Sequence, residues 1–258
     1  MTYADVNGVS LWFEEFGEGA PLVLLHGGFW SIPLFGDLLP ALAARRRVVA
    51  VELQGHGHTA DVERALAYET LADDVAGLVA QRFGTPVDVM GYSLGAGTAL
   101  RVAIQHPAQV RNLVVVSTAA KSAGWYPEVR EGMAQLGPAA AEQMRQSPLY
   151  ARYEAVNPRP EDWPRLVTKM GEMVRKEYDW SEEIAGIRAR TMLIFADADS
   201  IPVTHIAEFY GLFGGGQRDA GWDGALRAAA RLAVLPGRTH YDVMAAPELP
   251  ALVDEFLA

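Results

Sequence analysis

The chain has 258 residues, of which 50% are hydrophobic and 21% are charged, and its formal net charge is −10. This size and apolar content suit one large domain with a substantial core and exclude wholesale disorder. The acidic balance argues against nucleic acid and anionic membrane surfaces as partners, because both attract basic proteins. The absence of cysteine excludes disulfides, thiolate metal sites and a cysteine nucleophile.

The first residues, MTYADVNGVSLWF, lack the basic region and the long apolar segment of a signal peptide. No apolar run approaches the roughly 20 residues that span a bilayer. We therefore expect a cytoplasmic protein without a membrane partner, and the missing cysteines fit a reducing compartment. The sequence contains nothing that predicts an oligomeric state.

Strand and helix patterns alternate along most of the chain. An alternating stretch over 9–16 predicts an antiparallel edge strand. Short β-branched apolar runs predict buried strands at 21–25, 47–53, 87–90, 113–116, 191–195 and 232–235. Helical spacing predicts helices at 34–44, 71–83, 94–106 and 249–257. This order predicts an α/β fold, with a mostly parallel central sheet and helices on both of its faces.

Two segments interrupt the alternation. Residues 121–188 contain helical patterns and many Met, Trp, Tyr and Pro residues but no strand run, which predicts a helical lid inserted into a core formed by 1–120 and 189–258. Residues 211–230 begin with a glycine-rich stretch, which predicts a flexible loop followed by a short helix.

The stretch PVDVMGYSLGAGTAL, at 86–100, places Ser93 between a predicted strand and a predicted helix. Glycines two residues before and after a serine permit a sharp turn that exposes its hydroxyl, as in a nucleophile elbow. The backbone N–H of Leu94, at the start of the helix, is suited to stabilise an oxyanion. The stretch LLHGGFW ends another strand, and the N–H of Gly28 or Phe29 is the expected second donor.

A serine nucleophile needs a general base, and the chain has six histidines. His240 follows a late strand through a loop, which frees its ring to reach the sheet edge, so we assign it as the base. We expect His26 to shape the glycine turn by hydrogen bonding, and the remaining histidines to be structural. The acid is expected after the strand at 191–195, where Asp197 and Asp199 are both candidates.

These motifs together resemble the α/β-hydrolase superfamily, in its lid-bearing esterase and lactonase branch. The matching motifs are HGG (26–28), GHG (55–57), GYSLG (91–95), the Asp-Ala-Asp segment at 197–199 and LPGRTH (235–240). In that family the acid is the fourth residue of a Gly-x-x-Asp turn, which implies Asp199 as the acid and leaves Asp197 as the fallback. The stretch VELQGHGHT departs from the family pattern at Glu52 and Gln54, which should change local packing only.

The resemblance implies hydrolysis of a carboxylic ester or lactone, with Ser93, His240 and Asp199 as a triad. The same residues also suit C–C bond hydrolysis, thioester hydrolysis, perhydrolysis or a ligand-binding receptor with little turnover. We expect a small, largely apolar substrate and neither a metal nor a cofactor. Five apolar or aromatic residues are predicted to line the pocket, although they would suit the core of the lid equally well: Trp30, Trp125, Tyr126, Met133 and Met144.

Overall fold

The computed structural model describes residues 2–258, which contain eight strands and ten α-helices. The strands are β1 (Thr2–Val6), β2 (Val9–Phe16), β3 (Pro21–Leu25), β4 (Arg47–Glu52), β5 (Val87–Tyr92), β6 (Val110–Val116), β7 (Arg190–Ala198) and β8 (Arg231–Thr239). The helices are α1 (Leu38–Ala43), α2 (Tyr68–Arg82), α3 (Leu94–Gln105), α4 (Pro127–Ala134), α5 (Pro138–Met144), α6 (Pro148–Val156), α7 (Trp163–Val174), α8 (Ser181–Ala185), α9 (Val203–Leu212) and α10 (Leu249–Leu257).

All eight strands form one sheet in the order β1-β2-β4-β3-β5-β6-β7-β8. The strands from β3 onward run parallel, whereas β1 and β2 are antiparallel to their neighbours. Alternate side chains of β3 enter different cores: Val23 packs on one side of the sheet and Leu24 on the other. Helices therefore cover both faces, and the predicted α/β architecture is confirmed.

The antiparallel strand predicted at 9–16 is confirmed as β2, but its predicted place at the edge was wrong, because β2 is the second strand of the sheet. The edge is β1, which pairs with β2 from Thr2↔Phe13 to Val6↔Val9. Asn7 and Gly8 connect them in a two-residue turn, both with positive φ (48° and 82°). Asn-Gly is the preferred pair for such a hairpin turn, so the sequence did contain the signal.

The short helix predicted within 211–230 is also absent. Helix α9 ends at Leu212, and the chain then runs through turns until β8 begins at Arg231. Four glycines of this segment have positive φ, a conformation that turns use and helices do not. Across the described range 2–258, no helix is both long and apolar enough to cross a membrane.

Between β6 and β7 the chain forms the five helices α4 to α8, and we call this segment the helical insertion (121–188). Proline occupies one of the first two positions of α4 to α7, where its missing N–H has no intrahelical acceptor. Lys169 of α7 attaches the insertion to the loop after β4 by donating to the buried carboxylate of Asp61 over 2.7 Å. The core and lid boundaries at 120 and 189 stay a prediction.

Candidate active site

Ser93 lies in the tight turn between β5 and α3, with φ 52° and ψ −113°. Such a φ is uncommon for a residue with a side chain and indicates a conformation imposed by its surroundings. A Cβ atom on Gly91 would lie 2.1 Å from the Gly95 carbonyl oxygen, and one on Gly95 would lie 2.4 Å from the Leu25 carbonyl oxygen. Both flanking glycines are therefore required by close backbone packing.

The structure brings Ser93, His240 and Asp199 into one hydrogen-bonded series. His240 Nε2 lies 3.1 Å from Ser93 Oγ, and His240 Nδ1 lies 2.9 Å from Asp199 Oδ1. These three residues come from the turns after β5, β8 and β7, which meet at the carboxyl edge of the parallel sheet. Asp197 is directed elsewhere, because its Oδ1 accepts the backbone N–H of Arg238 at 3.1 Å.

The Asp199 carboxylate accepts four hydrogen bonds. The donors to Oδ1 are His240 Nδ1 and the N–H of Ser200, and those to Oδ2 are the Ser117 hydroxyl and the N–H of Ala196. Burial raises the pKa of this carboxyl, but His240, Ser117 and Ala196 outweigh burial and hold the pKa below its usual value. An ionised Asp199 favours the proton on His240 Nδ1, which leaves the Nε2 lone pair facing Ser93.

The expected oxyanion donors lie beside Ser93. Gly28, Phe29 and Leu94 all line the cavity described below, and Phe29 adopts a positive φ of 61°. Within residues 2–258, the backbone N–H groups of these three residues donate to no protein acceptor. Unpaired N–H groups beside a nucleophile and at the start of a helix suit a developing negative charge.

Two other histidines, His26 and His56, are buried near this edge. His26 Nδ1 donates to the Gly27 carbonyl over 2.7 Å, and its Nε2 accepts the N–H of Leu53 at 3.0 Å. This confirms that His26 shapes the glycine turn by hydrogen bonding. Burial lowers the pKa of His26 to about 3 and that of His56 to about 4, so both rings are neutral at neutral pH.

The departures at Glu52 and Gln54 act on packing, as expected. Glu52 is fully buried, and its carboxylate accepts the Ile32 N–H at 3.0 Å and contacts His58 Nδ1 at 2.9 Å. Gln54 Nε2 donates to Asp61 over 2.7 Å. Neither side chain contacts Ser93, His240 or Asp199.

A cavity of about 240 Å³ opens onto Ser93. Its lining combines the glycine turn, the Ser93 turn, the His240 loop and the helical insertion. Of the residues that the structure describes, 2–258, no Asp, Glu, Lys or Arg side chain lines the cavity. The lining residues are Gly28, Phe29, Trp30, Tyr68, Tyr92, Ser93, Leu94, Trp125, Val129, Met133, Leu136, Leu149, Met170, Met173, Val174, Ser200, His240 and Tyr241.

Three of the five predicted pocket residues, Trp30, Trp125 and Met133, line this cavity. Tyr126 and Met144 do not, and their assignment to the pocket is corrected. Tyr126 is 37% exposed, and Met144 packs against the core from the end of α5. Helical periodicity identifies an apolar face but does not show whether that face lines the cavity or packs against the hydrophobic core.

Two residues of the site were missed by sequence reasoning. Tyr92, next to Ser93, is buried, and its hydroxyl donates to the His240 carbonyl oxygen over 2.7 Å. Ser117 follows β6 and donates to Asp199. Both contacts depend on partners far away in the sequence, so no local pattern identifies them. Among residues 2–258, no cluster of three or more His, Asp or Glu side chains is arranged to hold a metal ion.

The eight-stranded, mostly parallel sheet with a serine turn after β5 defines an α/β hydrolase fold. Residues 22–251 match the family described as "Alpha/beta hydrolase family". This match covers most of the chain, and the protein belongs to that family.

Curated relatives match over part of the chain. A pimeloyl-[acyl-carrier protein] methyl ester esterase of Aeromonas hydrophila is 34% identical over 113 residues, which are 43% of this chain and 42% of that protein. The sn-1-specific diacylglycerol lipase ABHD11 of Mus musculus is 38% identical over 118 residues, which are 44% of this chain and 38% of that protein. The match thus spans less than half the length of either relative.

Solved structures share the fold over nearly the whole chain. The enol-lactonase of Burkholderia xenovorans LB400 superposes with a TM-score of 0.72 at 22% identity, covering 99% of both chains. At this level of identity the likeness establishes the fold alone.

Proposed function

We propose that this protein is a serine hydrolase that cleaves a carboxylic ester or lactone of a small, largely apolar substrate. The observation that carries the proposal is the Ser93 hydroxyl, which lies 3.1 Å from His240 Nε2 in the wall of an apolar cavity. Asp199 on the other side of the imidazole completes the arrangement that activates a serine hydroxyl.

In the proposed reaction, Ser93 Oγ attacks the carbonyl carbon while its proton moves to His240 Nε2. Asp199 stabilises the imidazolium, and the N–H groups of Leu94 and the glycine turn stabilise the tetrahedral oxyanion. His240 then protonates the leaving alkoxide as the C–O bond breaks and the acyl-enzyme forms. A water molecule hydrolyses the acyl-enzyme by the same proton transfers. This chemistry requires no metal and no cofactor.

The cavity supports a small, uncharged substrate. Its volume of about 240 Å³ is below the roughly 300–1,000 Å³ of sites for drug-sized ligands. A charged acyl group would lose hydration in it without meeting an ionic partner. Much of the wall comes from α4 and α7, including Met133 and Met170, so the helical insertion would act as a lid that sets substrate size.

Covalent labelling tests the nucleophile directly. We expect a fluorophosphonate to add one phosphonyl group to the native protein, located on Ser93 by peptide mass spectrometry. Ser117 is an internal control, because it is another serine in a strained turn but is fully buried. Absence of labelling in the native protein, or equal labelling of the Ser93→Ala variant, would contradict the proposal.

Hydrolysis of p-nitrophenyl esters of graded chain length tests the substrate class. We expect the highest kcat/KM for short to medium neutral acyl chains and poor hydrolysis of acyl chains that end in a carboxylate. Met170 packs against the glycine turn, where a Cβ on Gly28 would lie 2.9 Å from its methyl group. Met170→Ala should therefore move the optimum toward longer chains.

Glu172→Ala is the matched control, because this side chain lies on the exposed face of the same helix. It should leave the chain-length profile unchanged. Ester turnover near the uncatalysed rate, together with saturable ligand binding, would support a receptor. Faster cleavage of a thioester or a C–C bond would reassign the reaction while keeping the triad.

A further inference from the structure

Ser117 is a buried serine at the end of β6 that the proposed reaction does not use. It is fully buried, and its φ of 53° is positive. Its hydroxyl donates to Asp199 Oδ2 over 2.5 Å. Its backbone N–H donates to the Ile194 carbonyl oxygen of β7 at 2.9 Å. Ser117 thus connects β6 to the strand that carries the acid.

The backbone conformation at this position makes serine an unexpected residue. Glycine, asparagine and aspartate adopt positive φ at lower cost than serine does. A serine held there in a fully buried turn requires a compensating interaction, and a hydrogen bond to an ionised carboxylate is a strong one.

The other donors to Asp199 leave a specific role for this hydroxyl. The N–H groups of Ala196, in the last part of β7, and of Ser200 lie within three residues of Asp199 in the chain. His240 is the group that the carboxylate must orient. Ser117 is the donor that comes from β6. It therefore restrains rotation of the carboxylate relative to the rest of the sheet edge.

We propose that Ser117 is a positioning residue that holds the Asp199 carboxylate in the orientation in which Oδ1 meets His240 Nδ1. The inference rests on the proposed function, in which Asp199 stabilises the His240 imidazolium. Without Ser117, Oδ2 keeps the Ala196 N–H as its donor and the carboxylate can rotate away from the ring. The imidazolium then loses stabilisation, and His240 becomes a weaker base.

The test is the pH dependence of ester hydrolysis by Ser117→Ala. We expect kcat to fall about tenfold, in line with the loss of one hydrogen bond to a charged group, while KM stays within about twofold. The acid limb of kcat/KM should move to lower pH, because Asp199 then stabilises the protonated form of His240 less. His240 is the ionisable group that contacts Asp199. Nearby Tyr92 stays neutral, because burial and the charge of Asp199 raise its pKa, so its ionisation does not contribute to the acid limb.

Proton NMR supplies a second readout of the same contact. The His240 Nδ1 proton should move upfield in Ser117→Ala as its hydrogen bond to Asp199 weakens. Ser117→Cys keeps a weak donor. Its kcat, the pH of its acid limb and the chemical shift of its His240 Nδ1 proton should all fall between the values of the native protein and those of Ser117→Ala. If Ser117→Ala does not fold, Ser117→Gly serves the same test, because glycine adopts this φ freely.

Thr118→Val is the matched control. Thr118 is the next residue, is equally buried, and its hydroxyl has no protein partner among residues 2–258. Its replacement should leave the acid limb and kcat unchanged. An unmoved acid limb in folded Ser117→Ala, or a loss of kcat equal to that of Thr118→Val, would overturn the inference. Activity of the native protein and its absence in Ser93→Ala, measured in the same assay, test the proposed function separately.

Discussion

The serines in the turns that follow β5 and β6 share a positive φ and a backbone hydrogen bond to the next strand, but they have different surroundings. Ser93 and Ser117 have φ of 52° and 53°, and each donates its N–H to a carbonyl of the next strand at 2.9 Å. Ser93 faces a cavity and an imidazole, and it is followed directly by α3. Ser117 is enclosed and faces a carboxylate, without a helix at the next residue. The strained serine turn alone therefore does not define a nucleophile.

Asp199 connects the two turns, because it contacts Ser117 directly and Ser93 through His240. Among the variants that keep the Ser93 hydroxyl, we expect Asp199→Asn to have the largest effect on kcat. A neutral amide no longer stabilises the imidazolium and permits the wrong tautomer of His240, which should lower kcat by roughly 10³- to 10⁴-fold. Ester hydrolysis at saturating substrate measures this loss.

Asp197→Asn is the control for this variant, since Asp197 lies two residues away and is directed to the Arg238 N–H. It should retain kcat within about twofold. A large loss of kcat in Asp197→Asn with little loss in Asp199→Asn would show that Asp197 is the acid of the triad. Asp199 would then not connect the two serine turns functionally.

Tyr92 distinguishes the β5 turn from the β6 turn, where Val116 occupies the corresponding position before the serine. Its hydroxyl donates to the His240 carbonyl oxygen, and its ring packs so closely that a Cβ on Gly27 would lie 2.7 Å away. Tyr92→Phe keeps the ring and removes one hydrogen bond to the His240 loop. We expect kcat to fall about 3- to 10-fold, as the loss of a neutral hydrogen bond predicts.

Tyr153→Phe provides the comparison for Tyr92. Tyr153 is a buried tyrosine of the helical insertion whose hydroxyl also donates to a backbone carbonyl, that of Arg159 at 3.3 Å. Its replacement removes the same kind of bond away from the cavity and should leave kcat unchanged. Equal losses in the two variants would show that the Tyr92 bond acts on general stability and not on His240.

The parallel strands and the elbow could be predicted because their signals are local. β5 is buried along its whole length and is apolar apart from Asp88, and Ser93 has its two glycines within the same five residues. The hairpin of β1 and β2 is also encoded locally, because Asn7 and Gly8 are the preferred pair for its two-residue turn. The edge position of β1 is therefore a local signal as well.

The support around the predicted site could not be predicted, since it depends on which turns meet in space. Ser117 and Asp199 are 82 positions apart, and Tyr92 and His240 are 148 positions apart. The place of Met170 in the cavity wall also depends on a contact between segments far apart in the sequence. The apolar face of α7 is visible in the sequence, but the glycine turn that it contacts is not.

Glycine at each serine position separates backbone strain from hydroxyl chemistry, and the change in stability that it causes is the smallest effect that we expect. Glycine removes a strain of about 1–2 kcal/mol at positive φ and costs about 0.4–1 kcal/mol through the unfolded chain. Ser93→Gly should therefore raise the free energy of unfolding by up to about 1.6 kcal/mol while abolishing activity. Ser117→Gly also loses a hydrogen bond to an ionised carboxylate, worth about 1.5–3 kcal/mol, so its net effect should be destabilising.

Urea unfolding at neutral pH measures both variants, and a constant m-value shows that the unfolded state is comparable. Thr118→Val is again the control and should change stability little, because its hydroxyl has no protein partner within residues 2–258. A gain in the free energy of unfolding for Ser93→Gly and a loss for Ser117→Gly would show that the backbone strain at Ser93 is not offset by other contacts. The strain at Ser117 would then be offset by its hydrogen bond to Asp199. A gain in the free energy of unfolding for both variants would mean that the hydrogen bond from the Ser117 hydroxyl to Asp199 does not stabilise the protein.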